Sequence, residues 1–71
     1  MDKRVENACR EALATGYTMM VEYGWSQFKA YGYAYDLLEG MSMSLTAMKL
    51  YGELPLIRYY KRIAFNRSRK A

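Results

Sequence analysis

Pro55 is the only proline among 71 residues, and Gly52 stands just ahead of it. The surrounding stretch, KLYGELPLIRYYKRIAF (49–65), otherwise carries helical spacing. Proline removes a backbone donor inside a helix but is tolerated in a first turn, so a new helix must start near Pro55. No alternating apolar–polar run competes elsewhere in the chain, which predicts an all-α fold.

Three further helical segments precede that break. From Asp2 to Tyr23, the residues Val5, Cys9, Ala12, Gly16, Met19, Met20 and Tyr23 form one apolar stripe, the pattern of an amphipathic helix. Asp2 stands where a cap belongs, and Gly24 where a C-terminal glycine belongs. Gly16 on that stripe either lets another helix come close or is a weak point costing about 1 kcal/mol relative to alanine. The segment from Ser26 to Glu39 places Phe28, Tyr31, Ala34, Tyr35 and Leu38 on one side, with Ser26 as cap and Gly40 as stop. Residues 40–44 read as a short connection. A third, short helix from Ser44 to Tyr51 points Leu45, Met48 and Tyr51 inward. The expectation is one domain, residues 1–71, as a small bundle of about four helices.

The last helix, Pro55 to about Asn66, has two faces. At about 100° per residue, Leu56, Tyr59, Tyr60 and Ile63 cluster, flanked by Ile57 and Ala64. Arg58, Lys61, Arg62 and Arg69 lie opposite, with Phe65 in their midst. Either Phe65 projects from this basic face, or the helix ends early and Phe65 folds back on the core. Charge is polarised the same way. Residues 1–53 hold five cations and all seven acids, whereas residues 54–71 hold Arg58, Lys61, Arg62, Arg67, Arg69 and Lys70 and no acid. Such asymmetry points to a polyanionic partner or to a solvated basic tail at 67–71.

Composition excludes several classes. Without histidine, and with Cys9 alone, the chain supplies neither a tetrahedral zinc site nor His-based catalysis nor an internal disulfide. Glu6, Glu11, Glu22, Asp36, Glu39 and Glu53 are scattered, so no enzyme and no cofactor is expected. No apolar run approaches the roughly 18 residues of a membrane span. The start, MDKRVENACREAL, lacks the apolar core of a secretory signal, and a lone thiol suits a reducing cytoplasm.

Residues 31–63 resemble a helix-turn-helix of the pipsqueak or resolvase-like type. The letters DLLEGMSMSLTAMKLYGELPLIRYYKR are similar to that family's short helix, glycine, M-S-L-x-x-A-A-x-x-Y-G-V-P segment and recognition helix. Met43-Ser44-Leu45 resembles the start of the second helix, Ala47-Met48 its small-residue pair, Tyr51-Gly52 its end and Pro55 the turn proline. Met48 departs from the small residue usual there. One extra residue separates Gly52 from Pro55, one more separates Gly40 from Met43, and Leu56-Ile57 replace the usual hydroxyl pair. The resemblance implies a DNA-binding transcriptional regulator built on residues 26–66. Arg58 would read a base edge, while Lys61, Arg62, Arg67, Arg69 and Lys70 neutralise phosphates and Phe65 contacts a base or a partner. The first helix, outside that unit, would form a homodimer through Val5, Cys9, Ala12, Gly16, Met19 and Met20.

A second reading stays open: an accessory protein of phage or mobile-element type that binds a host protein complex. Six methionines and eight tyrosines suit an adaptable contact surface, with Trp25-Ser26-Gln27 as its anchor. Interfacial membrane binding by the fourth helix is weakened by its tyrosine-rich apolar face.

Overall fold

The computed structural model describes residues 3–69, so the Asp2 cap and Lys70 lie outside the described residues. Three α-helices run up, down and up: α1 (Lys3–Val21), α2 (Gln27–Ala47) and α3 (Leu54–Arg69), with one 3₁₀ turn at Tyr51–Glu53 before α3. Among the described residues there is no strand, and no helix is long and apolar enough to cross a membrane.

Glu6 sits in the first turn of α1, where a carboxylate complements the helix dipole, and pairs with Arg10 one turn on at 2.7 Å. The helix ends where Gly24 turns left-handed (φ 71°) and the Trp25 N–H donates to the Met19 carbonyl at 3.0 Å. Ser26 then caps α2, its hydroxyl accepting from the Lys29 N–H at 3.1 Å.

The four-helix expectation is corrected to three. Gly40 does not stop α2, and residues 40–44 are helical rather than a connection. A glycine costs a helix about 1 kcal/mol but does not end it. Here Leu38 before that weak point is fully buried, and Met41 and Leu45 after it pack against the core. The stop comes later. The Leu50 N–H donates to Leu45 O at 2.8 Å and the Lys49 N–H to Thr46 O at 3.0 Å. Lys49 itself is left-handed (φ 59°). These bonds make a Schellman motif with lysine where glycine is usual. The separate helix expected over Ser44–Tyr51 does not form, and Met48 and Tyr51 are exposed rather than in the core.

Small residues dominate the core. Cys9, Ala30, Ala34, Leu38, Ile57 and Ala64 are fully buried, and Ala12 and Tyr31 nearly so. Gly16 faces α2: a Cβ there would lie 3.0 Å from Tyr31 Cδ1 and 3.2 Å from the Ala30 carbonyl. The α1 stripe is therefore spent inside the chain. Cys9, Ala12 and Gly16 are buried within the fold, Gly16 against α2, and are not a dimer surface, which corrects that assignment. Val5 and Met20 pack at the margin of the same core, Met19 is half-buried, and Tyr23, beyond the helix, is exposed.

The inward face of α3 is rotated from the expected one. Ile57, Ala64 and Ser68 are buried, Leu56, Tyr60 and Ile63 are half-buried, and Tyr59 is exposed. Ile57, Ala64 and Ser68 recur at i, i+7 and i+11 and let α3 lie close along Ala30, Ala34 and Leu38. A large tyrosine at position 59 would hold the helices apart. Phe28, also expected inside, is exposed because it sits about 120° around α2 from Ala34.

Candidate nucleic-acid interface

α2 and α3 pair antiparallel, tied near one end and at mid-length. Near one end, Gln27 Nε2 donates to the Arg67 carbonyl at 2.6 Å; further along, Lys61 Nζ meets Glu39 Oε2 at 2.5 Å. This pairing aligns two stripes along the open edge between the helices. On α2 the stripe is Phe28, Gly32, Tyr35 and Glu39; on α3 it is Arg58, Arg62, Phe65 and Arg69. Each follows the i, i+4, i+7, i+11 spacing of a single helix face.

Phe65 stands at the centre. α3 continues through it to Arg69, so the early helix end does not occur. The ring stays 45% exposed, neither folded into the core nor fully free. It packs at 6.3 Å, tilted, against Tyr35 and carries the Arg69 guanidinium 5.2 Å from its centroid. Two clefts share Tyr35 and Phe65 as a common wall. One, about 280 Å³, is completed by Arg58, Lys61 and Arg62. The other, about 580 Å³, includes Trp25, Phe28, Lys29 and Gly32.

The expected basic residues divide into three groups. Arg58 and Arg62 are exposed and have no carboxylate partner among the described residues. Lys61 is tied down: its hydrogen bond to Glu39 is the main cause holding the ammonium pKa above its usual value, and it lies 5.3 Å from the Tyr35 ring. Arg67 points to the other side of α3, its guanidinium 5.6 Å from the Tyr31 ring. The structure thus brings Arg58, Lys61, Arg62, Phe65 and Arg69 together and sets Arg67 apart. Arg67 and Arg69 also complement the negative end of the α3 dipole.

Four side chains of this edge were not assigned to it from sequence: Phe28, Tyr35, Lys29 and Trp25. Trp25 packs edge-to-face on Tyr33 at 5.8 Å, with Lys29 Nζ 4.2 Å from its ring. The usable signal was a second stripe on α2, with Phe28, Gly32 and Tyr35 at i, i+4 and i+7, distinct from the Ala30–Ala34–Leu38 stripe.

The chain matches no protein-family model, no curated protein and no solved structure.

Proposed function

We propose that the chain is a small non-enzymatic nucleic-acid-binding protein that contacts its ligand through the exposed edge of α3. One observation carries this reading: the exposed guanidiniums of Arg58 and Arg62, with no carboxylate partner among the described residues, flank the partly exposed Tyr35–Phe65 ring pair. A surface that only needed solubility would gain nothing from an aromatic among cations. A polyanion with π-faces uses both, because phosphate contacts supply affinity and rings supply stacking. The finer expectation, a DNA-binding transcriptional regulator, is carried forward on α3 alone, since α2 runs through residues 40–44, where the connection before a separate second helix was expected.

The test is a salt series of binding to random-sequence duplex DNA, with Arg58→Ala and Arg62→Ala beside the unaltered chain. Affinity falls log-linearly with salt, and each substitution reduces the slope by about 0.9. Absence of binding to duplex and to single-stranded DNA alike at low salt removes this reading and favours the protein-partner alternative.

A homodimer belongs to the same proposal, moved from the α1 stripe to the α2–α3 turn. Met43, Met48, Leu50 and Tyr51 are all more than half exposed there. A chain of this size with so small-sided a core gains stability from a second copy. A monomeric mass by light scattering at micromolar concentration would end that part.

A further inference from the structure

Resting on the nucleic-acid reading above, we infer that the cleft between α2 and α3 receives an unpaired base, so that the ligand is single-stranded nucleic acid rather than duplex. The lining residues that would meet the base are Trp25, Phe28, Tyr35 and Phe65, with Gly32 between Phe28 and Tyr35 on α2. Phe28 is 73% exposed, an unusual placement for a phenylalanine beside a folded core that leaves its ring face open. Apart from its chain neighbours and the backbone of its own helix, no atom lies within 4 Å of where a Cβ on Gly32 would be, so the floor is open to a planar ring. The volume, about 580 Å³, falls in the range of small-molecule sites. Aliphatic anchors, which a docking helix would seek, are missing from this lining. Aromatic faces are what every base can stack on, irrespective of sequence. Bases inside a duplex keep their faces covered by their neighbours, so only an unpaired base reaches such a cleft.

Charge continues the argument along the chain's length. Lys29 lies over Trp25 at one end of the cleft and Arg69 over Phe65 at another. Arg58 and Arg62 extend the cationic stripe down α3, and Asp36 is the one carboxylate in the cleft lining. From Arg58 to Arg69 the stripe is about 16 Å long at 1.5 Å per residue. That matches about five phosphates at the 3.4 Å stacked spacing. One strand can therefore lay its backbone over Arg58, Arg62 and Arg69 while a base turns in against Phe65 and Phe28.

The experiment compares oligo(dT) with a duplex of equal length at low salt, reading both affinity and the emission of Trp25, the only tryptophan. The expected result is tighter binding of oligo(dT), quenching of Trp25, and about tenfold weaker binding for Phe65→Ala and for Phe28→Ala. Phe65→Tyr keeps a stacking face and retains affinity. Tyr17→Ala, exposed on α1, leaves binding unchanged. If Phe65→Ala lost helicity by circular dichroism, Phe28→Ala carries the same comparison at a more exposed position. Equal affinity for strand and duplex, with both phenylalanine variants neutral, overturns the inference and leaves the Arg58/Arg62 reading standing. Failure to bind either nucleic acid removes both readings and assigns the cleft to a protein partner.

Discussion

Glu39 holds Lys61 at 2.5 Å across the α2–α3 edge, so one cation of α3 is already paired before any ligand arrives. The pair is partly solvated, and such pairs contribute about 0–1 kcal/mol to stability. Its larger effect is on charge. Glu39→Gln frees Lys61 and removes a negative charge beside Tyr35. Nucleic-acid affinity rises several-fold and the salt slope steepens by about 0.7–0.9, as read by fluorescence titration at several salt concentrations. An unchanged slope would mean that the ligand does not reach Lys61.

Gly16 and Gly40 respond to the same substitution with opposite signs. Gly40→Ala meets no neighbour within 4 Å and removes a helix-interior glycine, adding about 1 kcal/mol and roughly 4–8 °C in Tm. Gly16→Ala gains the same propensity but places a methyl 3.0 Å from Tyr31 and 3.2 Å from a backbone carbonyl. Overpacking of that kind costs about 1–3 kcal/mol, so Tm falls. Thermal melts of the two variants decide it.

Lys49 occupies the left-handed position of the α2 cap. For a residue with a side chain that conformation costs about 1–2 kcal/mol. Lys49→Gly raises the denaturant midpoint without changing the slope with denaturant, measured by urea titration. A drop in midpoint would show that the lysine side chain contributes a contact worth more than the strain.

Cys9 is fully buried, and burial first, with the nearby Glu6 second, pushes its thiol pKa above 9.0. The folded chain keeps this proton at a pH where the unfolded chain releases it. Stability from this group is therefore complete below pH 9 and declines as pH rises through the folded value. The paired Lys61 acts in the same direction at higher pH, starting from 10.5, but is partly solvated and weighs less. Melts between pH 7 and 10.5 should show the decline, and Cys9→Ala should flatten its lower part. Native chain should also label slowly with thiol reagents, through opening alone.

The features legible in the sequence were those written in local chemistry. The Gly24 stop, the Ser26 cap and the new helix near Pro55 each rest on one or two neighbouring residues, and the structure places all of them there. Features written in packing were harder to read. Gly40 looked like a stop because its cost is local, whereas Leu38, Met41 and Leu45 repay it against other helices. The inward face of α3 was misjudged because large apolar letters outweighed small ones. Tyr59 drew attention that belonged to Ala64 and Ser68. At the candidate site, the cations and Phe65 were visible in α3 alone. Tyr35 and Phe28 joined them only once α2 and α3 were paired antiparallel.

The small-sided contact between α1 and α2 also has a mutational landscape that is one-directional. Most cores lose stability when side chains shrink, because cavities open where methyl groups were. Where Gly16 meets Ala30 and Ala34, there is almost nothing left to remove. Change at those contacts can only add volume, and added volume pushes two helix backbones apart along their length. The same push on α2 would shift the Phe28–Tyr35 stripe it carries relative to the Phe65 stripe of α3. Drift in the interior is thus reported directly at the surface edge, even by substitutions that never touch it.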